Sequence, residues 1–263
     1  MLNKILIAHN NGLGDCILMS GGIRHLATIF DEVSLICIGD HNIFRQVSYL
    51  HRDVSNINVI GEPKARNFQM GRKKIERYRK RHPNWHVRGF WWHPSEFPRH
   101  ANQFGLDPNT HSWPELFYTY MVGGAMKEHM GYNHRYDSFH VLRDYDKEQR
   151  LKEELLLPDR YVFVVEAGSN CRHPYHPDGT QYPVFKPSHR SDLFDRYTIF
   201  DWMGVIEDAE EVYALDTSWF HLMKQMRLQK PKFYINRRTA PMSGLTTTNY
   251  LNDEWDNGWE VIA

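Results

Sequence analysis

Short apolar runs alternate with amphipathic stretches through the first part of the chain. KILIA (4–8), VSLICI (33–38) and SNINVI (55–60) are short and rich in β-branched residues, which predicts strands. Between the first two strands, residues 15–30 place apolar side chains at the spacing of one helical face. A second helical stretch extends to about Leu50. Strand, helix, strand, helix, strand at this spacing predicts a parallel sheet with right-handed crossovers.

The same alternation returns after a charged helical stretch at 143–159, which links the two halves of the chain. RYVFVVE (160–166) predicts a strong strand, and a long loop rich in polar residues, proline and histidine follows it. Residues 199–212 predict a helix that leads into the strand EVYALD. A further helix at 217–226 and the strand KFYI (232–235) follow. The second half therefore also predicts an α/β unit.

We expect an α/β protein with two Rossmann-like lobes, each built on a parallel sheet. The predicted lobes are residues 1–140 and residues 141–263, with their boundary between 135 and 160. The second lobe is shorter than the first, and we expect it to lack one strand–helix unit. A chain of 263 residues, 41% of them hydrophobic, is long enough to build both cores.

Charge and cysteine content exclude some classes of protein. The formal charge is zero, so no overall field attracts the chain to nucleic acid. Cys16, Cys37 and Cys171 are far apart and form no CxxC pair, which is typical of a reducing compartment. No signal peptide precedes the first strand, and the longest apolar runs are too short to span a bilayer. We expect a cytoplasmic protein.

A glycine-rich turn, NNGLGD, follows the first strand. A dinucleotide fold requires G-x-G-x-x-G here, with an acid at the end of the second strand. Gly12 and Gly14 fit this pattern, but the third glycine position is Ile17, and Asp40 lies late for the acid. The turn is therefore weak support for a dinucleotide cofactor.

Gly12-Leu13-Gly14-Asp15 instead resembles the opening of bacterial heptosyltransferases and related glycosyltransferases of the GT-B fold. The resemblance implies that Asp15 lies in the cleft between the lobes as the catalytic base. It also implies that Asn11, Gly12 and Gly14 form an acceptor-side loop. An adjacent helix N-terminus would keep the carboxylate ionised. The alternative is that Asp15 only caps its helix.

FDWMGVIEDAEEVYALDTSWFHLM (200–223) resembles the donor-side segment of heptosyltransferase-like and fucosyltransferase-like enzymes. Position by position, the resemblance assigns Asp216, Thr217, Ser218 and His221 to the donor site. Backbone N–H groups at the start of a helix, together with the two hydroxyls, form a suitable cradle for a diphosphate. Asp216 would bind a sugar hydroxyl or cap the helix. For His221, a place in the core is an equal alternative.

The order of these segments is similar to that in small glycosyltransferase-like proteins, some of them viral. The loop 167–198 departs from the family because it lacks the usual Lys-Trp-Pro signature. Its candidate cations for a leaving diphosphate are Arg172, Lys186 and Arg190. We select Arg172 because it follows the first strand of its lobe, and expect Lys186 and Arg190 to be ordinary solvent-exposed charges.

A basic stretch, GRKKIERYRKR (71–81), holds seven cations and one acid, and aromatic residues follow it. Cations interleaved with aromatic residues are one signature of nucleic-acid binding. Zero net charge and the absence of a recognised binding module argue against that class. A solvated helix face is the simplest interpretation. The alternative is a surface over 71–93 that contacts an anionic membrane or a phosphorylated acceptor.

The sixteen histidines raise the question of a metal, but their densest groups lack the regular spacing of zinc ligands. The resemblance thus implies a metal-independent glycosyltransferase without a cofactor. It would move a sugar from a nucleoside diphosphate sugar to a hydroxyl of a glycan or lipid-linked acceptor. Because the second lobe is short, the alternative is a degenerate or non-catalytic nucleotide-binding protein.

Overall fold

A computed structural model describes the chain over eight segments. They are residues 3–9, 12–39, 41–63, 68–90, 139–168, 171–215, 217–235 and 258–262. These segments fall into two compact units, one ending at Leu142 and the other beginning at Arg143. The assignment of the first unit to the acceptor and the second to the donor stays a prediction. None of the helices in these segments is long and apolar enough to cross a membrane.

Strands and helices alternate through the first unit. Its elements are β1 (Lys4–His9), α1 (Leu13–Ile29), β2 (Glu32–Gly39), α2 (His41–Leu50), β3 (Ile57–Pro63), α3 (Phe68–Arg81) and β4 (His86–Phe90). The strand order is β3-β2-β1-β4, and every pairing is parallel. The predicted parallel sheet is therefore confirmed.

The central strands of this sheet are apolar along nearly their whole length because both of their faces are buried. Only the first residue of β1 is not fully buried, and in β2 only the two ends are not. Strands β1, β2 and β4 and helix α3 share one core cluster, which consists of Leu6, Ala8, Ile36, Ile38, Ile75 and Val87. Strand β4 was not predicted, because its sequence HVRGF has only two apolar residues, Val87 and Phe90, which Arg88 and Gly89 separate.

The described part of the second unit combines helices and strands in a less regular order. Its elements are α4 (Tyr145–Leu155), β5 (Val162–Val165), β6 (Ala167–Gly168), β7 (Cys171–Arg172), β8 (Val184–Phe185), α5 (Met203–Asp208), β9 (Glu211–Leu215), α6 (Ser218–Met226), β10 (Lys232–Ile235) and β11 (Glu260–Ile262). The order of the main sheet is β11-β10-β9-β5-β8, with every pairing parallel, and β6 and β7 form a small antiparallel pair.

The helix predicted over 199–212 is wrong in its extent. A 3₁₀ turn at Ile199–Trp202 begins it, and α5 ends at Asp208. The buried side chain of Asp201 accepts hydrogen bonds from the backbone N–H and the hydroxyl of Thr198, which fixes the first turn. After α5 the chain becomes extended at Ala209, because the apolar residues that follow join the sheet as β9.

An aromatic cluster fixes the start of helix α6. The indole of Trp202 is fully buried, and its ring centroid lies 5.6 Å from that of Trp219. Trp219 also packs against Phe163 of β5, with 5.7 Å between the ring centroids. Because Trp219 is the second residue of α6, these contacts hold the helix N-terminus against the sheet.

Candidate functional site

The carboxyl edge of the first sheet holds the residue predicted to be catalytic. From β1 the chain crosses to β2 on one side, whereas β4 lies on the other side of β1, so β1 and β4 border a topological switch point. Ligands of open α/β sheets bind at the carboxyl ends of the strands at such a point. Helix α1 starts there, and Asp15 lies in its first turn with a half-buried side chain.

Gly12, and not Asp15, occupies the N-cap position of α1. A methyl group added at Gly12 would lie 3.9 Å from Oδ2 of Asp15, so the carboxylate extends toward the backbone at the start of the helix. The positive end of the helix dipole favours the ionised form of an acid in this turn. Gly14 is the second residue of α1 and is half-buried. Asn11 lies outside the described residues.

The analysis of the sequence did not identify His9, a buried residue at the end of β1. Its Nε2 lies 3.5 Å from Sγ of Cys37 at the same edge of the sheet. Burial lowers the pKa of His9 to about 4 and raises the pKa of Cys37 to about 12, so both groups are uncharged at neutral pH. The sequence did contain one indication that His9 is a candidate for a functional role, because it is a polar residue at the end of an otherwise apolar strand.

The carboxyl edge of the second sheet holds a buried carboxylate. Glu166 directly follows β5 and is 2% exposed. Its Oε2 accepts hydrogen bonds from Nζ of Lys186 at 2.6 Å and from the backbone N–H of Tyr175 at 3.2 Å. Its Oε1 accepts one from Nη2 of Arg172 at 3.3 Å. Burial alone would raise the pKa of Glu166, but these hydrogen bonds outweigh burial and hold it below its ordinary value.

Two cations thus meet one carboxylate, so the cluster of Glu166, Lys186 and Arg172 carries one net positive charge. The side chain of Arg172 is 65% exposed, so its guanidinium remains accessible to a ligand while it contacts Glu166. The expectation that Lys186 is solvent-exposed is wrong, because Lys186 is the closest partner of the buried Glu166 and its side chain is 16% exposed. Arg190 instead pairs with Asp192 at 3.2 Å.

The predicted donor residues Thr217 and Ser218 lie at the start of α6, which follows β9. Thr217 occupies the N-cap position with an extended backbone, yet its side chain does not cap the helix. The buried Thr217 hydroxyl has no hydrogen-bond partner in the part of the chain that the structure describes. Buried hydroxyl groups without a partner are uncommon in native proteins. The first backbone N–H groups of a helix also lack partners within the helix.

His221 lies one turn along α6 and is half-buried. Its backbone N–H donates to the carbonyl oxygen of Thr217 at 3.2 Å, and its ring lies 5.7 Å from that of Phe220. A donor contact for His221 therefore stays a prediction. Asp216 lies outside the described residues.

Arg172 and Thr217 lie at the same edge of the second sheet. Strands β5 and β9 are parallel neighbours, with Val165 opposite Ala214, so Glu166 and Thr217 follow adjacent strand ends. This edge therefore combines a cation, a hydroxyl and the N-terminus of a helix, which together are suited to an anion. Within the described segments, no three His, Cys, Asp or Glu side chains converge on a point where a metal ion could bind.

Comparison with known proteins gives a result at the level of three-dimensional structure alone. No protein-family profile matches the chain, and no curated protein matches it in sequence. Among solved structures, the chain is similar to the glycosyl transferase family 9 protein from Veillonella parvula, with a TM-score of 0.55 and 9% identity. That similarity covers 99% of this chain and 86% of the other.

The chain is also similar to ADP-heptose lps heptosyltransferase II from E. coli, with a TM-score of 0.54 and 12% identity. The similarity covers 98% of this chain and 90% of the enzyme. The chain therefore has the fold of these solved glycosyltransferases, which confirms the two-lobed, GT-B-like α/β fold predicted from the sequence.

Proposed function

We propose that this protein is a glycosyltransferase. It transfers a sugar from a nucleoside diphosphate sugar to an acceptor hydroxyl on a glycan or a lipid-linked molecule. The fold shared with two solved glycosyltransferases supports the reaction class. The placement of Asp15 and Thr217 at the carboxyl edges of the two sheets supports the assignment of roles to residues.

The observation that carries the donor site is the buried hydroxyl of Thr217 at the start of α6, which has no hydrogen-bond partner among the described residues. In the proposed complex, the donor diphosphate accepts hydrogen bonds from this hydroxyl and from the first N–H groups of the helix. Ser218 lies beside them, and Asp216 and His221 extend the site. The guanidinium of Arg172 stabilises the charge that develops on the leaving diphosphate. These groups supply the positive charge without a metal ion.

Asp15 is the proposed general base. The acceptor oxygen forms a bond to the anomeric carbon of the sugar as the bond from that carbon to the diphosphate breaks, and the carboxylate of Asp15 takes the proton of the acceptor hydroxyl. A positioned base typically contributes about 10²–10⁴-fold to the rate. The Gly12 and Gly14 turn, together with Asn11, forms the acceptor side of this proposed site. Asp15→Asn should therefore abolish sugar transfer and leave donor binding nearly unchanged, as measured by calorimetry.

Thr217→Val tests the donor site, because valine keeps the shape of threonine and removes the hydroxyl. Without a donor, we expect the free energy of unfolding to stay the same or rise, since an unpaired buried hydroxyl becomes a methyl group. Affinity for the donor should fall about 10–100-fold, because loss of a hydrogen bond to a charged group typically has an effect of this size. The matched control is Thr28→Val in α1, whose hydroxyl already donates to the His25 carbonyl.

A panel of nucleoside diphosphate sugars in a thermal-shift assay identifies the donor for these measurements. Stabilisation by none of them, or unchanged affinity in Thr217→Val, would contradict the donor site. Donor binding without transfer to any acceptor would identify a non-catalytic nucleotide-binding protein. Full transfer by Asp15→Asn would remove Asp15 from the mechanism. Transfer should persist in a chelator if no metal takes part.

A further inference from the structure

One face of helix α3 is strongly cationic and directed away from the core. At about 100° of rotation per residue, Lys73, Arg77, Lys80 and Arg81 fall within one continuous arc. Ile75, the α3 residue that joins the core cluster, lies on the opposite side of the helix. All four cations are exposed. We call Lys73, Arg77, Lys80 and Arg81 the α3 cationic face.

The acidic groups near this face are already paired with other residues. Glu62 accepts hydrogen bonds from Nζ of Lys74 at 2.9 Å and from the hydroxyl of Tyr78. Glu76 pairs with Arg79. Within the described segments, none of the four residues of the α3 cationic face forms an ion pair. Arg81 lies close enough to Glu62 to lower the pKa of that carboxyl, so part of its charge is offset. The positive charges of Lys73, Arg77 and Lys80 are not neutralised by these carboxylates.

Helix α3 is a fixed platform for these charges. Besides Glu62, Nζ of Lys74 also contacts the carbonyl oxygen of Pro63, at 2.8 Å, so it ties the helix to the end of β3. Ile75 is 5% exposed and packs in the core cluster. Because the inner side of α3 is anchored by these contacts, its outer side can meet a partner without rearrangement of the helix.

The surroundings of the α3 cationic face favour a membrane surface over a nucleic acid. Single-stranded nucleic acid is bound by aromatic rings on which bases stack. The nearest described rings are engaged: the Tyr78 hydroxyl binds Glu62, and the Trp85 ring lies 4.4 Å from His82 and 5.0 Å from Nζ of Lys4. A row of long, exposed cations on one helix is complementary to the anionic headgroups of a lipid leaflet.

We propose that the α3 cationic face docks the protein on an anionic lipid surface through electrostatic attraction. Each Lys or Arg near such a surface contributes about fivefold to binding, from about 1 kcal/mol each. In this proposal the attraction comes from the charges of the α3 cationic face. Binding should therefore weaken strongly as salt is added.

The test is co-sedimentation of the whole protein with lipid vesicles in low salt. One set contains phosphatidylcholine alone, and the other contains phosphatidylcholine mixed with phosphatidylglycerol. We expect binding to the anionic vesicles alone, and its loss in high salt. The variant Arg77→Gln with Lys80→Gln should bind about 25-fold more weakly, since two charges are removed. Both residues are exposed, so its melting temperature should match that of the wild type.

The matched control is Arg150→Gln with Arg160→Gln, which removes the same charge from exposed positions in the second unit. This control should retain vesicle binding. An equal loss in both double variants would overturn the proposal, because net charge alone would then explain binding. Equal binding to neutral vesicles, or tighter binding to a single-stranded oligonucleotide than to anionic vesicles, would also overturn it. These outcomes are independent of donor binding, which is measured separately.

Discussion

Nζ of Lys186 lies 2.6 Å from Oε2 of Glu166 in a nearly solvent-free position at the end of β5. The carboxylate is stable there because a cation and a backbone N–H both bind it. Arg172 contacts the other carboxylate oxygen from a mostly exposed position. The two cations therefore have different consequences for stability and for ligand binding.

Lys186→Met should destabilise the protein strongly. Loss of one partner of a buried ion pair leaves an uncompensated charge and typically costs about 3–5 kcal/mol. Arg172→Gln removes a largely exposed contact and should change the free energy of unfolding by less than about 1 kcal/mol. In the proposed site, Arg172→Gln should nevertheless weaken donor binding. Chemical denaturation and calorimetry measure the two effects.

Arg190→Gln is the control for this comparison, because Arg190 lies on the same loop but pairs with the exposed Asp192. It should change neither stability nor donor affinity appreciably. A small stability loss in Lys186→Met, similar to that in Arg190→Gln, would show that Glu166 does not depend on Lys186.

Two buried histidines predict that stability falls in mild acid. Burial lowers the pKa of His9 to about 4 and, with the nearby Arg24, that of His51 to about 3, whereas an unfolded histidine titrates near 6.5. Below pH 6.5 the unfolded chain therefore binds more protons than the folded protein. The free energy of unfolding should therefore have its full value above pH 6.5 and should decrease as the pH falls below it. The part due to His9 reaches about 3 kcal/mol near pH 4.

His9→Gln should reduce this pH dependence between pH 6.5 and 4.5, as measured by denaturation at a series of pH values. Near the lower limit Glu62 and Glu166 also contribute, because an unfolded glutamate titrates near 4.5, but their contribution is the same in both proteins and cancels when the two slopes are compared. The control is His140→Gln, since the side chain of His140 is 60% exposed. The same slope in His9→Gln and in wild type would show that His9 is not kept neutral by burial.

Much of the fold could be predicted from the sequence because both sheets are parallel and buried. Runs such as KILIA and YVFVV are apolar since both faces of their strands are covered, and that signal is local. Strand β4 gave no such signal because Arg88 and Gly89 interrupt its two apolar residues, Val87 and Phe90. Helix α5 ends where the backbone becomes extended at Ala209 and leads into strand β9, and helical periodicity in the sequence does not show this point.

The candidate site was predictable where a motif joins a strand to a helix. Asp15 and Thr217 follow strands directly, so their placement at the carboxyl edges follows from topology. The contact between Glu166 and Lys186 was not predictable, because an irregular loop separates two residues that are 20 positions apart. Lys186 looked like a surface charge for the same reason: its partner is set by tertiary structure.

Close packing between α4 and α5 predicts that Gly204→Ala is destabilising. A methyl group at Gly204 would lie 2.6 Å from Oε2 of Glu148 and 2.9 Å from Cε of Lys152. Glu148 cannot move away easily, because it is buried and both of its carboxylate oxygens bind Arg143. We expect a loss of about 1–3 kcal/mol in chemical denaturation.

Gly39→Ala is the matched control, since its nearest neighbour, Ile43, lies at an ordinary 3.6 Å from the added carbon. It should have a much smaller effect on the free energy of unfolding. If both alanine variants were equally stable, the two helices would have to tolerate a wider separation than the structure shows.

Leu156 ends helix α4 in a left-handed conformation, with φ of 50° and ψ of 44°, and its side chain is 86% exposed. This conformation costs a non-glycine residue about 1–2 kcal/mol, whereas glycine adopts it freely. Leu156→Gly should therefore stabilise the protein, by about 0.5–1 kcal/mol after the greater entropy of glycine in the unfolded chain is subtracted. Leu156→Ala separates relief of backbone strain from removal of the exposed side chain, because alanine lacks the rest of the leucine side chain but keeps Cβ. A gain in thermal unfolding for glycine alone supports relief of backbone strain, whereas an equal gain in both variants would attribute it to removal of the exposed leucine.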